Sequence, residues 1–433
     1  MAVTASAALP RLSLKEIEDQ RLDALSKGMP PGRAVWLGDV GKQGWSLLAG
    51  DMPMPLAVIR ESVLKANSAW MSAFTKANDL LIAPHGKTTM APQLFDLQIA
   101  DGAWAITVAT MQQLAVARYF GVKRVILANQ PVGAQEIAAC FDALEDPGFE
   151  FYCLADSAAG VALLARSAQA RGGSNPLRIL VEIGFTGGRT GARTREEALE
   201  VSRAVAASPG LQLCGFECFE GLHSDTAKAD GLLGEVVAVA AAAEAEGLLG
   251  PQAMILSAGG TSLFDRVGEV FNAATFTRPV VKVLRSGCYL THDSTAYSAA
   301  FSRITLETNL KLPPGGLEPA LEVWAYVQSR PERGRSLLTL GKRDISYDAG
   351  LPVPLRWFRP GAMTLPATMP PGHTVLALND QHCHLGTPEE SPLQIGDMVA
   401  FGIGHPCTTF DKWSVLMLID DECRVTGAIR TFF

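Results

Sequence analysis

RILVEIGFTGGRTGARTREEALEVSRAVAASPGLQLCGF, Arg178 to Phe216, holds one complete unit of the fold. An apolar run, Arg178–Ile183, ends in a glycine-rich loop. Thr194 and Glu197 then have the capping-box spacing that starts a helix, and TREEALEVSRAVAAS (194–208) sets apolar residues three and four apart. A second apolar run, Leu211–Phe216, follows. Strand, loop, helix and strand make a βα repeat, in which the helix is the crossover that parallel strands need.

The alternation extends in both directions. Strand-like runs are predicted at Leu80–Ala83, Trp104–Val108, Arg124–Ala128, Phe151–Ala155, Met254–Ser257 and Val280–Leu284, with helical periodicity at 111–121 and 157–172. Eight such strands predict a (β/α)8 barrel, a TIM-like α/β fold; an open doubly wound sheet has the same local pattern and is the alternative. After residue 300 the texture changes, with LPPGGLEP and MPPGH punctuating short runs such as LEVWAYVQSR, TVLALNDQH, DMVAFGIGH and SVLMLID. These predict a C-terminal antiparallel β domain. The expected division is a segment 1–55 packing on the barrel or the β domain, a barrel over 56–300, and a β domain over 301–433.

Composition narrows the class. With 48% hydrophobic residues the chain can bury a large core, and a net charge of −7 without a Lys/Arg block argues against a nucleic-acid surface. MAVTASAALPRLSLKEIEDQ has no basic start followed by a long apolar run, so no secretory signal is expected. The most apolar helix, Leu232 to Leu249, is interrupted by Glu235, Glu244 and Glu246, so no membrane span is expected. The eight cysteines contain no CxxC pair, which predicts reduced thiols and a cytoplasmic location.

Barrels gather reactive groups at the C-terminal ends of their strands. Lys87, in APHGKTTMAP (83–92), follows the first run. It is either a solvated loop charge or an amine held to condense with a carbonyl cofactor. Glu182 and FTGGRTG (185–191), with Arg189, follow the fifth run; Glu217, Glu220 and His223 follow the sixth; RSGCYLTHD (285–293) follows the eighth. SAGGTS (257–262) follows the seventh, where two glycines, Thr261 and a helix leave backbone N–H groups for an anion. A phosphate site plus a strand-end lysine points to pyridoxal 5′-phosphate (PLP). Further on, HPC (405–407) is either a turn with a buried free cysteine or a pair of borderline-soft ligands suited to Zn²⁺.

PHGK (84–87), GGRTG (187–191), SAGGTS and SGCYLTHD together resemble the fold-type III PLP enzymes, which have an alanine racemase-like barrel followed by a β domain. PHGKT combined with NDQH (379–382) and HPCTT (405–409) is more similar to the D-serine dehydratase/D-threonine aldolase branch. The resemblance implies that Lys87 binds PLP covalently, with His85 beside it and Arg189 near the cofactor's phenolic oxygen or the substrate carboxylate. It implies that Ser257, Gly259, Gly260 and Thr261 hold the phosphate, with Tyr289 close by. His405 and Cys407 would bind a divalent metal, zinc first and manganese second, and His382 would be an active-site residue. In HisCysHis (382–384) only His382 and His384 can share a strand face, and the role of His384 stays open.

Two positions and one short stretch depart from the branch. Its arginine before PHxK and its histidine two residues after are Ala83 and Thr89 here, and its EEHG-like stretch is DQHC. The implied activity is a lyase acting on a small D-3-hydroxy amino acid by metal-assisted β-elimination to a keto acid and ammonia. Retro-aldol cleavage to glycine and an aldehyde is the alternative, with His382 as the base. A racemase needs a base on each face of Cα and no metal, and small PLP-binding regulatory barrels lack a β domain. The family also implies a homodimer.

Overall fold

The computed structural model describes residues 8–172, 175–223 and 225–433; the first seven residues of the expected N-terminal segment lie outside them. Each of the eight predicted runs is a strand: β1 (Leu81–Ile82), β2 (Ile106–Val108), β3 (Arg124–Leu127), β4 (Glu150–Ala155), β5 (Leu177–Ile183), β6 (Leu211–Cys218), β7 (Met254–Ala258) and β8 (Val280–Leu284). All neighbours are parallel, in the order β1-β8-β7-β6-β5-β4-β3-β2. The two ends of this sheet meet. Trp104 N donates to Ile82 O at 2.7 Å, Thr107 N donates to Pro84 O at 2.9 Å, and His85 bridges Thr107. The sheet therefore curls into a barrel.

Both faces of every barrel strand are covered, which is why the runs are continuously apolar rather than alternating. Ala83, Ala105, Ile126, Leu154, Leu180, Ile255 and Val283 fill the interior, and their strand neighbours pack outward against the helices. Gly215 in β6 has no alternative, because a Cβ there would lie 2.0 Å from Ile255 O in the adjoining strand. The predicted capping box forms: Thr194 accepts from Glu197 N, and the helix Arg195–Ala206 follows. The apolar helix Thr226–Ala245 buries Leu233, Val236, Val239 and Ala240 in the core. Among the described residues no helix is long and apolar enough to cross a membrane.

The β domain is built on the long strand Leu321–Glu332, which pairs antiparallel with Met398–Gly402 and Arg335–Leu338. One element expected in the barrel segment belongs here instead. Leu56–Arg60 pairs antiparallel with Leu321–Trp324 and parallel with Val415–Ile419. A buried apolar run directly before a helix has the same local pattern as a barrel unit, so only the pairing tells them apart. The helix Glu61–Ala77 then carries the chain from the β domain to β1. The N-terminal residues touch both bodies. Arg11 Nε donates to Asp96 at 2.8 Å and Ser13 N to Phe120 O at 3.3 Å on the barrel side, while Val425 N donates to Trp45 O at 2.9 Å on the other.

Candidate active site

A cavity of about 450 Å³ opens where the barrel mouth meets the β domain. Its wall contains His85, Lys87 and Thr88 from the loop after β1, Gly259, Gly260, Thr261 and Ser262 after β7, and Arg285 to Cys288 after β8. The β domain adds His405, Cys407, Thr408 and Asp411. A wider cleft of about 620 Å³ lies at the opposite end of the strands, beside Arg171, Asn175 and Gly210, and holds none of these groups.

The lysine loop is fixed by packing. Gly86–Thr88 forms a helical turn, and a Cβ at Gly86 would lie 2.9 Å from the Phe95 ring. His85 is fully enclosed. Burial, then the charges of Lys87, Arg285 and Arg189, push its pKa well below the usual imidazole value, so the ring is neutral. Its Nδ1 is buried without a hydrogen-bond partner.

Beneath the mouth lies a buried polar network. Arg285 pairs with Glu217, donates to Ser257 Oγ at 2.9 Å and to Cys218 O at 2.9 Å. Burial pushes the Glu217 carboxyl up to about 7 against the opposing pull of Arg285, with Glu182 adding repulsion. Glu182 in turn accepts from Thr190 Oγ1 at 2.9 Å and from Gln130.

The glycine turn serves differently from its sequence expectation. Gly259 N and Gly260 N donate to the buried Glu220 carboxylate at 3.0 and 2.7 Å, so these two amides are already engaged. What the glycines contribute is bare wall: a Cβ on Gly260 would meet Gly221 Cα at 3.0 Å, and one on Gly259 would meet Arg285 N at 3.0 Å. Polar groups facing the cavity there come from Thr261, Ser262 and Ser286. Ser257 is fully buried, with its hydroxyl donating to Val283 O at 3.0 Å, and does not line the cavity. Tyr289 is also buried away from it, its hydroxyl accepting from Gln98 at 3.2 Å. Its neighbour Cys288 faces the cavity instead. Arg189 lies with its guanidinium 4.5 Å from the ring centroid of Phe219, a wall residue, and the rings of His223 and Phe185 lie 4.1 Å apart at a 35° tilt.

On the β-domain side, His405 caps the short helix Pro406–Phe410. Its Nδ1 is 2.6 Å from Asp348 Oδ2, and Thr408 Oγ1 donates to Asp348 Oδ1 at 2.7 Å. The Cys407 thiol lies 3.5 Å from Thr88 Oγ1, joining the helix to the lysine loop, and 3.6 Å from Cys288 Sγ. Hydrogen bonding from Cys288, His405 and Thr88 holds the Cys407 thiol well below its ordinary pKa, whereas hydrogen bonding with Cys407, followed by burial, pushes Cys288 up. His405 is lifted to about 9 by Cys407 and Asp348. Each group thus favours the charged form of the other. A cation that takes both as ligands releases the imidazolium proton.

The remaining histidines lie elsewhere. His382 is exposed and outside the cavity wall. His384 is held between Arg335, 2.5 Å from its Nδ1, and Asn379, 2.6 Å from its Nε2, while Cys383 is fully buried on the opposite face. Sequence reasoning missed Thr88, Cys288, Tyr297, Asp348 and Asp411. Cys288 sits inside a segment already singled out, but Asp348 carries no local signal.

A PLP molecule suits this cavity in size, in the bare glycine wall, in the hydroxyls of Thr261, Ser262 and Ser286, and in the unpartnered His85 Nδ1. A divalent cation suits the His405–Cys407 donors, because the Asp348 bond to Nδ1 leaves Nε2 as the ligating nitrogen. Among the described residues no three His, Cys, Asp or Glu side chains already converge on one point as a metal cage.

Comparison with known proteins agrees with this architecture. Residues 320–419 match the family model described as a putative serine dehydratase domain. A 3-hydroxy-D-aspartate aldolase of Paracoccus denitrificans is 27% identical over 317 residues, covering 70% of this chain and 75% of the relative. A D-threonine aldolase from an Arthrobacter species is 23% identical over 85% of this chain and 89% of its own. Among solved structures, D-threonine aldolase from Filomicrobium marinum superposes with a TM-score of 0.72 at 21% identity, over 90% of this chain and 97% of that one. D-threo-3-hydroxyaspartate dehydratase from a Delftia species gives 0.68 at 19% identity, over 89% and 99%. Alanine racemase from Bacillus anthracis gives 0.58 at 13%, over 87% and 97%. The fold is therefore the alanine racemase-like barrel with an appended β domain. Within it, residues 320–419 match the putative serine dehydratase domain, and the chain is similar over most of its length to 3-hydroxy-D-aspartate and D-threonine aldolases.

Proposed function

We propose that this protein is a PLP- and metal-dependent lyase that removes the β-hydroxyl from D-3-hydroxy amino acids, releasing a keto acid and ammonia. One observation carries the reading: Lys87 and the His405–Cys407 pair, 318 and 320 residues apart in sequence and from separate bodies of the fold, face one cavity. Bound PLP supplies an electron sink conjugated to Cα. A cation held by His405 and Cys407 supplies Lewis acidity at the β-oxygen. The chain's own groups do the rest. Lys87 Nζ takes the α proton, neutral His85 packs beside the reacting atoms without adding charge, and Thr261, Ser262 and Ser286 hold the phosphate. Loss of the α proton and the β-hydroxyl leaves an enamine, which hydrolyses to the keto acid and ammonia. Zinc is the cation proposed, on the softness of the thiolate. A cytoplasmic homodimer is proposed on the family resemblance and the reduced cysteines.

Retro-aldol cleavage is the second reading, because three of the similar proteins named above are aldolases. It requires a base at the β-hydroxyl, and the candidate base His382 is exposed and away from the cavity wall. The deciding assay incubates D-serine, D-threonine and D-threo-3-hydroxyaspartate with the PLP- and zinc-loaded enzyme. Keto acid and ammonia in equal amounts are expected; aldehyde and glycine in their place would establish the second reading.

A further inference from the structure

Cys288 has no part in the chemistry described above, yet its sulfur stands 3.6 Å from that of Cys407, across 119 residues of sequence. We propose that Cys288 is a second thiolate ligand of the cation, so that the site is a Cys288–Cys407 pair completed by His405. The inference rests on the metal-dependent reading and specifies the donor set.

Three observations carry it. First, the spacing is that of two ligands on one ion. With Zn–S bonds of about 2.3 Å and tetrahedral angles, two thiolates on one zinc stand about 3.8 Å apart. Second, the position of Cys288 is enforced. It begins the helical turn Cys288–Leu290, and a Cβ on the preceding Gly287 would lie 2.5 Å from Thr88 Oγ1 and 2.7 Å from His85 O. The turn is thus pressed against the lysine loop. Third, Thr88 Oγ1 bridges the two sulfurs, at 3.9 Å from Cys288 Sγ and 3.5 Å from Cys407 Sγ. The two sulfurs are gathered; the imidazole, tethered through Nδ1 to Asp348, is the donor that closes on the ion. Two thiolates and an imidazole favour thiophilic Zn²⁺ over oxygen-seeking Mg²⁺ or Mn²⁺ and leave one position for a substrate oxygen.

The test uses the PLP-loaded protein stripped of metal with a chelator and reloaded with Zn²⁺. X-ray absorption at the zinc edge should count two sulfur neighbours at about 2.3 Å. A single sulfur, with zinc bound and turnover intact, overturns the thiol pair and leaves the metal-dependent reading standing. Failure to bind zinc at all overturns both. Reloading with Co²⁺ gives a second measure: thiolate-to-cobalt charge-transfer absorption per bound ion should fall by about half in Cys288→Ser, and zinc affinity in a chelator competition should fall at least about tenfold. Unchanged cobalt absorption and affinity in that variant would overturn the proposal. All eight cysteines are free, so titration of the unfolded wild-type chain should find eight thiols; a count two short, traced to a Cys288–Cys407 disulfide, would also overturn it. If Cys288→Ser does not fold, the wild-type absorption count decides alone.

Discussion

The Lys87 loop and the His405–Cys407 helix line the same cavity but are held in different ways. The lysine follows β1, which is bonded on both flanks by parallel neighbours, and sits on a turn packed against Phe95. The metal-motif helix is only five residues long; it is anchored by buried Pro406 and Phe410 and by the Thr88–Cys407 contact, with Asp348 fixing the imidazole. The barrel supplies position through many backbone bonds, whereas the β domain supplies it through a few side-chain contacts. Disturbing the first should abolish chemistry outright, and disturbing the second should loosen a ligand by degrees.

The largest expected effect is at the lysine. Lys87→Ala should lower kcat by about 10²–10⁴-fold and prevent covalent attachment of PLP, read as loss of borohydride-fixed cofactor by mass spectrometry. An active variant would break the contrast at its stronger end. On the other side, Asp348→Asn keeps the shape but weakens the grip on His405, and zinc affinity should fall about 10–100-fold, with PLP content unchanged, in a chelator competition. An unaltered affinity would mean that the short helix positions His405 without help.

The third test concerns the barrel floor rather than its rim. Glu217 is lifted from 4.5 to about 7 by burial, so the folded chain keeps a proton that the unfolded chain has already released. Unfolding therefore releases a proton in that interval, and this contribution to stability falls as pH rises from 4.5 through about 7 and is flat above. Thermal melts of wild type and Glu217→Gln across that range should show wild type losing stability relative to the variant as pH increases. Parallel curves would show that Arg285 neutralises Glu217 throughout.

The barrel was legible because each strand is buried on both faces and each helix repeats every three to four residues, both of which are local properties. The exception, Leu56–Arg60, has a run of the same kind and differs only in its partners, Leu321–Trp324 and Val415–Ile419. Site residues divide in the same way. Lys87, Gly259, Gly260, Thr261, His405 and Cys407 sit in recognisable motifs and all line the cavity. Ser257 and Tyr289 sit in the same motifs and point elsewhere, because strand alternation and a single helical turn decide which neighbour faces the opening. The engagement of the Gly259 and Gly260 amides by Glu220 joins two strand ends, which spacing along the chain does not reveal.

By itself the sequence determined the eight βα units, the β domain after them, and which short segments carry an amine, a thiol and an imidazole, since all of these follow from period, turn chemistry and residue type. Only the tertiary structure decided that Leu56–Arg60 completes the second body, that Asp348 steers His405, and that Cys288 rather than Tyr289 meets Cys407. Those outcomes depend on backbone pairing and packing between segments far apart in the chain, where no local pattern is required to match.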